Sequence, residues 1–126
     1  MQNSSDLPIT TNYSELVVEL FRAIDFQDWK RLTNIFHNEI VYERPGYLPF
    51  IGIERLLQFY QQERIIASGT HQIEQITIEE NYGACWGQFI GIGKDESDIN
   101  ERFADTFSFE DGKIKTRRTH FFRPAV

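Results

Sequence analysis

At 126 residues, 40% apolar and 14% aromatic with 11 phenylalanines, the chain has the length of one domain and enough apolar mass to build a core without covalent staples. A net charge of −6 argues against general nucleic-acid or anionic-membrane binding, because phosphate contacts need clustered Lys and Arg. A single cysteine, Cys85, rules out an internal disulfide and a Cys-rich zinc site; its apolar neighbours mark it as a small buried hydrophobe.

Residues 1–11 are polar and lack the basic flank and apolar run of a signal peptide, so they read as a frayed tail and the location as cytoplasmic. Asn12, with Glu15 three residues on, is a helix-start signal. Leu16, Val17, Leu20, Phe21 and Ile24 then recur at helical spacing, predicting a first helix over 13–26. Asp28 is placed to cap a short second helix with Trp29, Leu32, Ile35 and Phe36 on its inner face, forming a hairpin with the first. A strand follows over Glu39 to Arg44, stopped by Pro45-Gly46. Tyr47-Leu48-Pro49-Phe50, apolar but broken by proline, suits a loop over a pocket mouth. A third helix is expected from Ile53 to Ile66.

From His71 onward the periodicity is that of four strands, roughly 70–80, 83–93, 100–110 and 113–123. Ile73 and Ile76 have opposite parity, which requires a bulge near Glu74–Gln75. Asp111-Gly112 between two alternating runs is a tight-hairpin signal. Gly87, Gly91 and Gly93 fit a bending strand, while Trp86 and Phe89 fall on opposite faces of it. No stretch approaches the ~20 apolar residues of a membrane span. The order predicts a single α+β domain over 12–126: three N-terminal helices on one face of a curved, mostly antiparallel sheet, enclosing a cone where a ligand would bind.

One residue resists a bland core reading. Along 100–110, Phe103, Phe107 and Phe109 share a face, and Asp105 shares it with them. A carboxylate among phenylalanines must be paired, protonated or turned to a wet pocket. It is either an Asp locked to a buried Arg that fixes the fold, or a pocket acid. Arg44, at the end of the first strand, and Arg117, in the last, are the candidate partners. Periodicity does not decide whether Arg117, Thr119 and Phe121 or Arg118, His120 and Phe122 face inward; the Arg117 phase is the one expected. The densest basic run is Lys113, Lys115, Arg117, Arg118 and Arg123. It is read as a solvated strand face, with a local anion site as the alternative. His37, His71 and His120 show no metal-ligand spacing, and no cofactor-binding loop is present.

The order of these elements, with Asp28…Ile35-Phe36, Ile40-Val41-Tyr42-Glu43-Arg44-Pro45, Gly52, Phe59-Tyr60 and Asp105-Thr106-Phe107-Ser108-Phe109 before Asp111-Gly112-Lys113-Ile114, resembles the SnoaL-like and ketosteroid-isomerase-like branch of the nuclear-transport-factor-2-like superfamily. The resemblance implies its cone-shaped fold, a small-molecule ligand and a homodimer. Carried over position by position, the isomerase general-base aspartate falls on Arg44, its oxyanion-hole tyrosine on Leu20, its protonated oxyanion-hole aspartate on Asp105, and its supporting tyrosine on Tyr60. Arg stays protonated and cannot abstract a proton, so steroid isomerisation by that mechanism is not expected.

Two functions compete. One is a cyclase-, isomerase- or hydratase-like enzyme acting without metal or cofactor on a small apolar carbonyl or carboxylate compound. Asp105 and Arg44 are its catalytic pair, and Tyr42, Tyr47, Tyr60, Leu20, Arg117, Phe103, Phe107 and Phe121 surround the substrate. The other is a non-catalytic module of the same fold that holds an apolar ligand.

Overall fold

A computed structural model describes residues 12–122. The expected tail over 1–11 and the side chain of Arg123 lie outside the described residues. Helix α1 spans Tyr13–Asp25, and the Asn12 Oδ1 accepts a hydrogen bond from the Glu15 N–H at 3.1 Å, so the cap predicted from the sequence is made. Its buried face is Val17, Leu20, Phe21, Ala23 and Ile24.

The second helical segment departs from expectation. Trp29–Arg31 is a 3-10 turn and only Leu32–Ile35 (α2) is α-helical, with no side-chain bond from Asp28. Phe36 already belongs to strand β1, Phe36–Glu43. A short strand β2, Phe50–Ile51, pairs antiparallel with β1 and turns the end of the expected loop into sheet. Helix α3 covers only Ile53–Gln58, and the chain continues as a π turn over Phe59–Glu63. Ile66, expected in that helix, starts strand β3.

Strands β3 (Ile66–Glu79), β4 (Tyr82–Gly93), β5 (Asp98–Glu110) and β6 (Lys113–Phe121) complete the sheet. Its order is β2-β1-β6-β5-β4-β3, and every neighbour pair is antiparallel except β1 with β6. The β3–β4 register steps from Ile73↔Gly87 to Gln75↔Trp86, leaving Glu74 as the bulged residue the parity clash required. Gly87 sits opposite this bulge, where a Cβ would lie 2.0 Å from the Gln72 carbonyl oxygen. The β5–β6 hairpin closes through Asp111 (φ 56°) and Gly112 (φ 76°), the double left-handed geometry of a two-residue turn.

A second bulge sets the site. The β5–β6 register runs Ser108↔Thr116 and then Phe109↔Ile114, so Lys115 is the extra residue. Ile114 and Arg117, of opposite parity, can therefore both point inward, and both are buried. Arg118 and His120 are exposed. On β5 the inward row is Ile99, Glu101, Phe103, Asp105, Phe107 and Phe109. Phe89 is buried on β4 while Trp86 is 43% exposed on the other face.

Candidate functional site

Asp105 lies at the middle of β5, its partners in register being Cys85 on β4 and Thr119 on β6. It is fully buried, and its Oδ2 accepts a hydrogen bond from Arg117 Nε at 2.8 Å. Arg117 Nη1 donates to the Tyr60 hydroxyl at 2.7 Å, joining β5 and β6 to the π turn. Asp105 Oδ1 has no hydrogen-bond partner among the described residues. On the same wall the Tyr42 hydroxyl is 2.7 Å from Thr119 Oγ1 and accepts from Arg44 Nη1 at 3.1 Å. The Arg117 guanidinium lies 4.5 Å from the Tyr42 ring centroid.

Burial alone would lower the Arg117 pKa, but attraction to Asp105 first, then to Tyr42 and Tyr60, together with the Asp105 hydrogen bond, holds it well above the ordinary value. Burial raises the Tyr60 hydroxyl, against the pull of Arg117. Arg64 is shifted the other way: burial lowers it, with Tyr60 opposing. The Cys85 thiol is pushed up to about 12 by burial and then by the Asp105 charge. That makes it a poor nucleophile.

These groups enclose a cavity of ≈ 20 Å³, about the room of one water. Arg44, Tyr60, Arg64, His71, Asp105, Arg117 and Thr119 supply its polar wall, and Ile24, Ile66, Phe89, Phe103 and Phe121 its apolar wall. Six sequence-predicted residues thus meet at one space: Asp105, Arg44, Arg117, Tyr60, Phe103 and Phe121. Four others do not line it. Leu20 is spent on the buried face of α1, and Phe107 stacks on Phe109 farther along β5. Tyr42 stands behind the wall, its hydroxyl taken up by Thr119 and Arg44. Tyr47 packs edge-on against Phe59, away from Asp105.

Arg64 and His71 are cavity residues that the sequence reading did not place there. The expected third helix absorbed Arg64, and only the π turn, invisible in the pattern, turns it inward. His71 is wedged among Phe21, Phe89 and Phe103. Its Nδ1 lies 2.5 Å from Asp25 Oδ1, and its backbone N–H donates to Asp25 Oδ2 at 2.9 Å. A carboxylate can only accept, so Nδ1 carries the proton, and in the neutral ring the lone pair is on Nε2. Burial lowers the His71 pKa, outweighing the Asp25 hydrogen bond.

Away from the cavity, His37, Glu110 and Asp111 bring ligand atoms within 4.8 Å of one another at the β5–β6 hairpin. The two carboxylates are exposed, and Lys115 Nζ already lies 3.4 Å from Glu110.

Helices packed on one side of a bulged, mostly antiparallel six-stranded sheet, with ionisable groups gathered between them, define the nuclear-transport-factor-2-like class of α+β proteins. The chain belongs to the SnoaL-like domain family, whose model matches residues 17–117. An NTF2-like protein of unknown function from Burkholderia pseudomallei superposes with a TM-score of 0.81 at 15% identity, over 89% of this chain and 92% of that one. An LEH-like epoxide hydrolase from M. tuberculosis gives 0.78 at 18% identity, over 90% and 85%. A hypothetical protein with ketosteroid isomerase-like fold from Catenulispora acidiphila, solved in complex with trimethylamine, gives 0.75 at 14% identity, over 88% and 86%. No curated protein sequence matches the chain. At such identities the likeness is one of fold, and chemistry must be argued from the site.

Proposed function

We propose that the chain is a small-molecule pocket protein carrying out acid–base chemistry on a small, largely apolar carbonyl or carboxylate compound. The observation that carries this reading is Asp105 itself: the residue lines the cavity, its Oδ2 is tied to Arg117, and its Oδ1 has no partner among the described residues. An oxygen so placed accepts a proton from the carbon next to a carbonyl, and the enolate left behind gains its charge among the Arg117 and Arg44 guanidinium groups. In a β,γ-unsaturated substrate, returning the proton to the γ-carbon isomerises it; in a β-hydroxy substrate, giving the proton to the departing hydroxyl releases water and dehydrates it. Phe103 and Phe121 supply apolar contact, and Tyr60 fixes the Arg117 plane.

The test is hydrogen–deuterium exchange at the α-carbons of cyclohexanone and levulinate in D₂O, followed by NMR. The wild-type chain is expected to exchange at least one of them above the buffer rate, and Asp105→Asn to lose about 100-fold of that rate or more. An unchanged rate in the variant, or none in the wild type, contradicts the catalytic reading.

A second reading, a non-catalytic module of the same fold, is favoured by one observation. The ion pair is sealed, with side-chain exposures of 3% and 0%, beside a cavity of only ≈ 20 Å³. Binding of either probe without exchange would select it.

The same proposal includes one domain over 12–126, a cone between helices and sheet, a cytoplasmic setting and a homodimer. For the dimer the support is the outer sheet face, where Trp86, Ile90, Ile92 and Phe122 are 43%, 45%, 46% and 72% exposed. Among the described residues no helix is long and apolar enough to cross a membrane.

A further inference from the structure

Arg64 is a buried charge that the Asp105 chemistry leaves unused. It ends the π turn and is 6% exposed, with its backbone N–H bonded to the Phe59 carbonyl at 2.9 Å. Its guanidinium is set among rings, 6.0 Å from the Trp29 centroid and 5.6 Å from that of Tyr60. Its Nε has no hydrogen-bond partner among the described residues, and the charged and polar groups that act on it most strongly are Tyr60, Arg44, Tyr42 and Arg117. The adjacent Glu63 is committed to Arg55 through both oxygens, at 2.9 and 3.0 Å. A guanidinium withdrawn from water without a counter-charge weakens the free protein. A buried charge of this kind beside a cavity is a candidate for completion by a ligand of opposite charge.

Its position says where that ligand sits. Arg64 lines the inner cavity with Asp105 and also a second, outer pocket of ≈ 380 Å³ that Ile65 and Ile99 share. Arg64 thus borders both spaces. We propose that Arg64 is an anion-recognition residue and that the ligand is a small organic monocarboxylate, its carboxylate paired with the guanidinium where the two spaces meet. The planar fork of Arg matches a carboxylate with two parallel hydrogen bonds. Glu63, Lys94 and Asp95 also line the outer pocket, so apart from Arg64 it carries no excess positive charge to hold a doubly charged phosphate, whereas a single carboxylate needs only the one guanidinium. This narrows the proposed function to one substrate class and rests on its premise that the inner cavity receives a ligand.

The test is thermal unfolding of the full chain in sodium formate, acetate, isobutyrate and benzoate, each against sodium chloride at equal ionic strength and against neutral benzamide. At least one carboxylate is expected to raise the wild-type Tm by a few degrees more than chloride does, while benzamide leaves it unchanged. Arg64→Met is expected to be at least as stable as wild type without ligand and to lose the carboxylate response; Arg64→Lys is expected to recover part of it. Three results would overturn the inference: no carboxylate moves the wild type, Arg64→Met responds as the wild type does, or Arg64→Met is markedly less stable, which would make Arg64 structural. If benzamide raises the Tm and Asp105→Asn abolishes that rise, the inner-cavity reading survives and only the carboxylate class falls.

Discussion

Arg117 Nε donates to Asp105 Oδ2 at 2.8 Å between neighbouring strands, with side chains 3% and 0% exposed, and a single bulge at Lys115 is what aims the arginine there. A pair this deep is costly to break from one side, because the survivor keeps its charge with nothing to answer it. Arg117→Met is therefore expected to lose about 3–5 kcal/mol of stability. Asp105→Leu combined with Arg117→Met should recover most of that loss. Urea denaturation of the three chains measures it; a cost for Arg117→Met below about 1 kcal/mol, as at an exposed pair, would show that solvent reaches the site.

His71 gives the fold a pH dependence of definite sign. The groups facing it are Asp25 from α1, Asp105 from β5 and Arg117 from β6. Burial depresses its folded pKa below the ordinary ~6.5. The unfolded chain then binds a proton that the folded chain refuses, so the contribution to stability is present above about pH 6.5 and is lost as pH falls toward the folded value. Following the His71 ring protons by NMR should give a midpoint below about 6.5. A midpoint above it would mean that the Asp25 carboxylate outweighs burial.

Cys85 is fully buried with its thiol pushed up to about 12. The native chain should leave Ellman's reagent unreacted at pH 8 and release one thiol equivalent once denatured. Prompt reaction of the native chain would show that β4 opens locally.

The pattern of residues carried the sheet further than the helices. Strand alternation gives Asp105 its inward place among Phe103, Phe107 and Phe109, and the opposed parity of Ile73 and Ile76 requires the β3 bulge. The same rule could not settle Arg117 against Arg118, because the bulge at Lys115 breaks the parity within β6 and no apolar clash in the sequence announces it. Helical periodicity misled at Ile53–Ile66. Apolar spacing there continues smoothly past Gln58, whereas the backbone changes to a π turn that swings Arg64 inward. His71 looked isolated because its partner Asp25 is 46 residues away and meets it only when α1 packs against β3. Leu20 is a site expectation carried by the family resemblance and Tyr42 one carried by its hydroxyl, and neither signal reports that helix packing holds the first, and Thr119 and Arg44 the second, behind the wall.

The central claim is that Asp105 Oδ1 addresses a space meant for a ligand. A crystal structure of the chain, grown in the carboxylate that gives the largest thermal shift, tests it most directly. The account predicts density in the cavity, with a ligand atom or an ordered water donating to Oδ1 at about 2.6–3.0 Å and the Arg117 pair intact. A cavity closed by protein side chains, with Oδ1 satisfied by one of them, would contradict it.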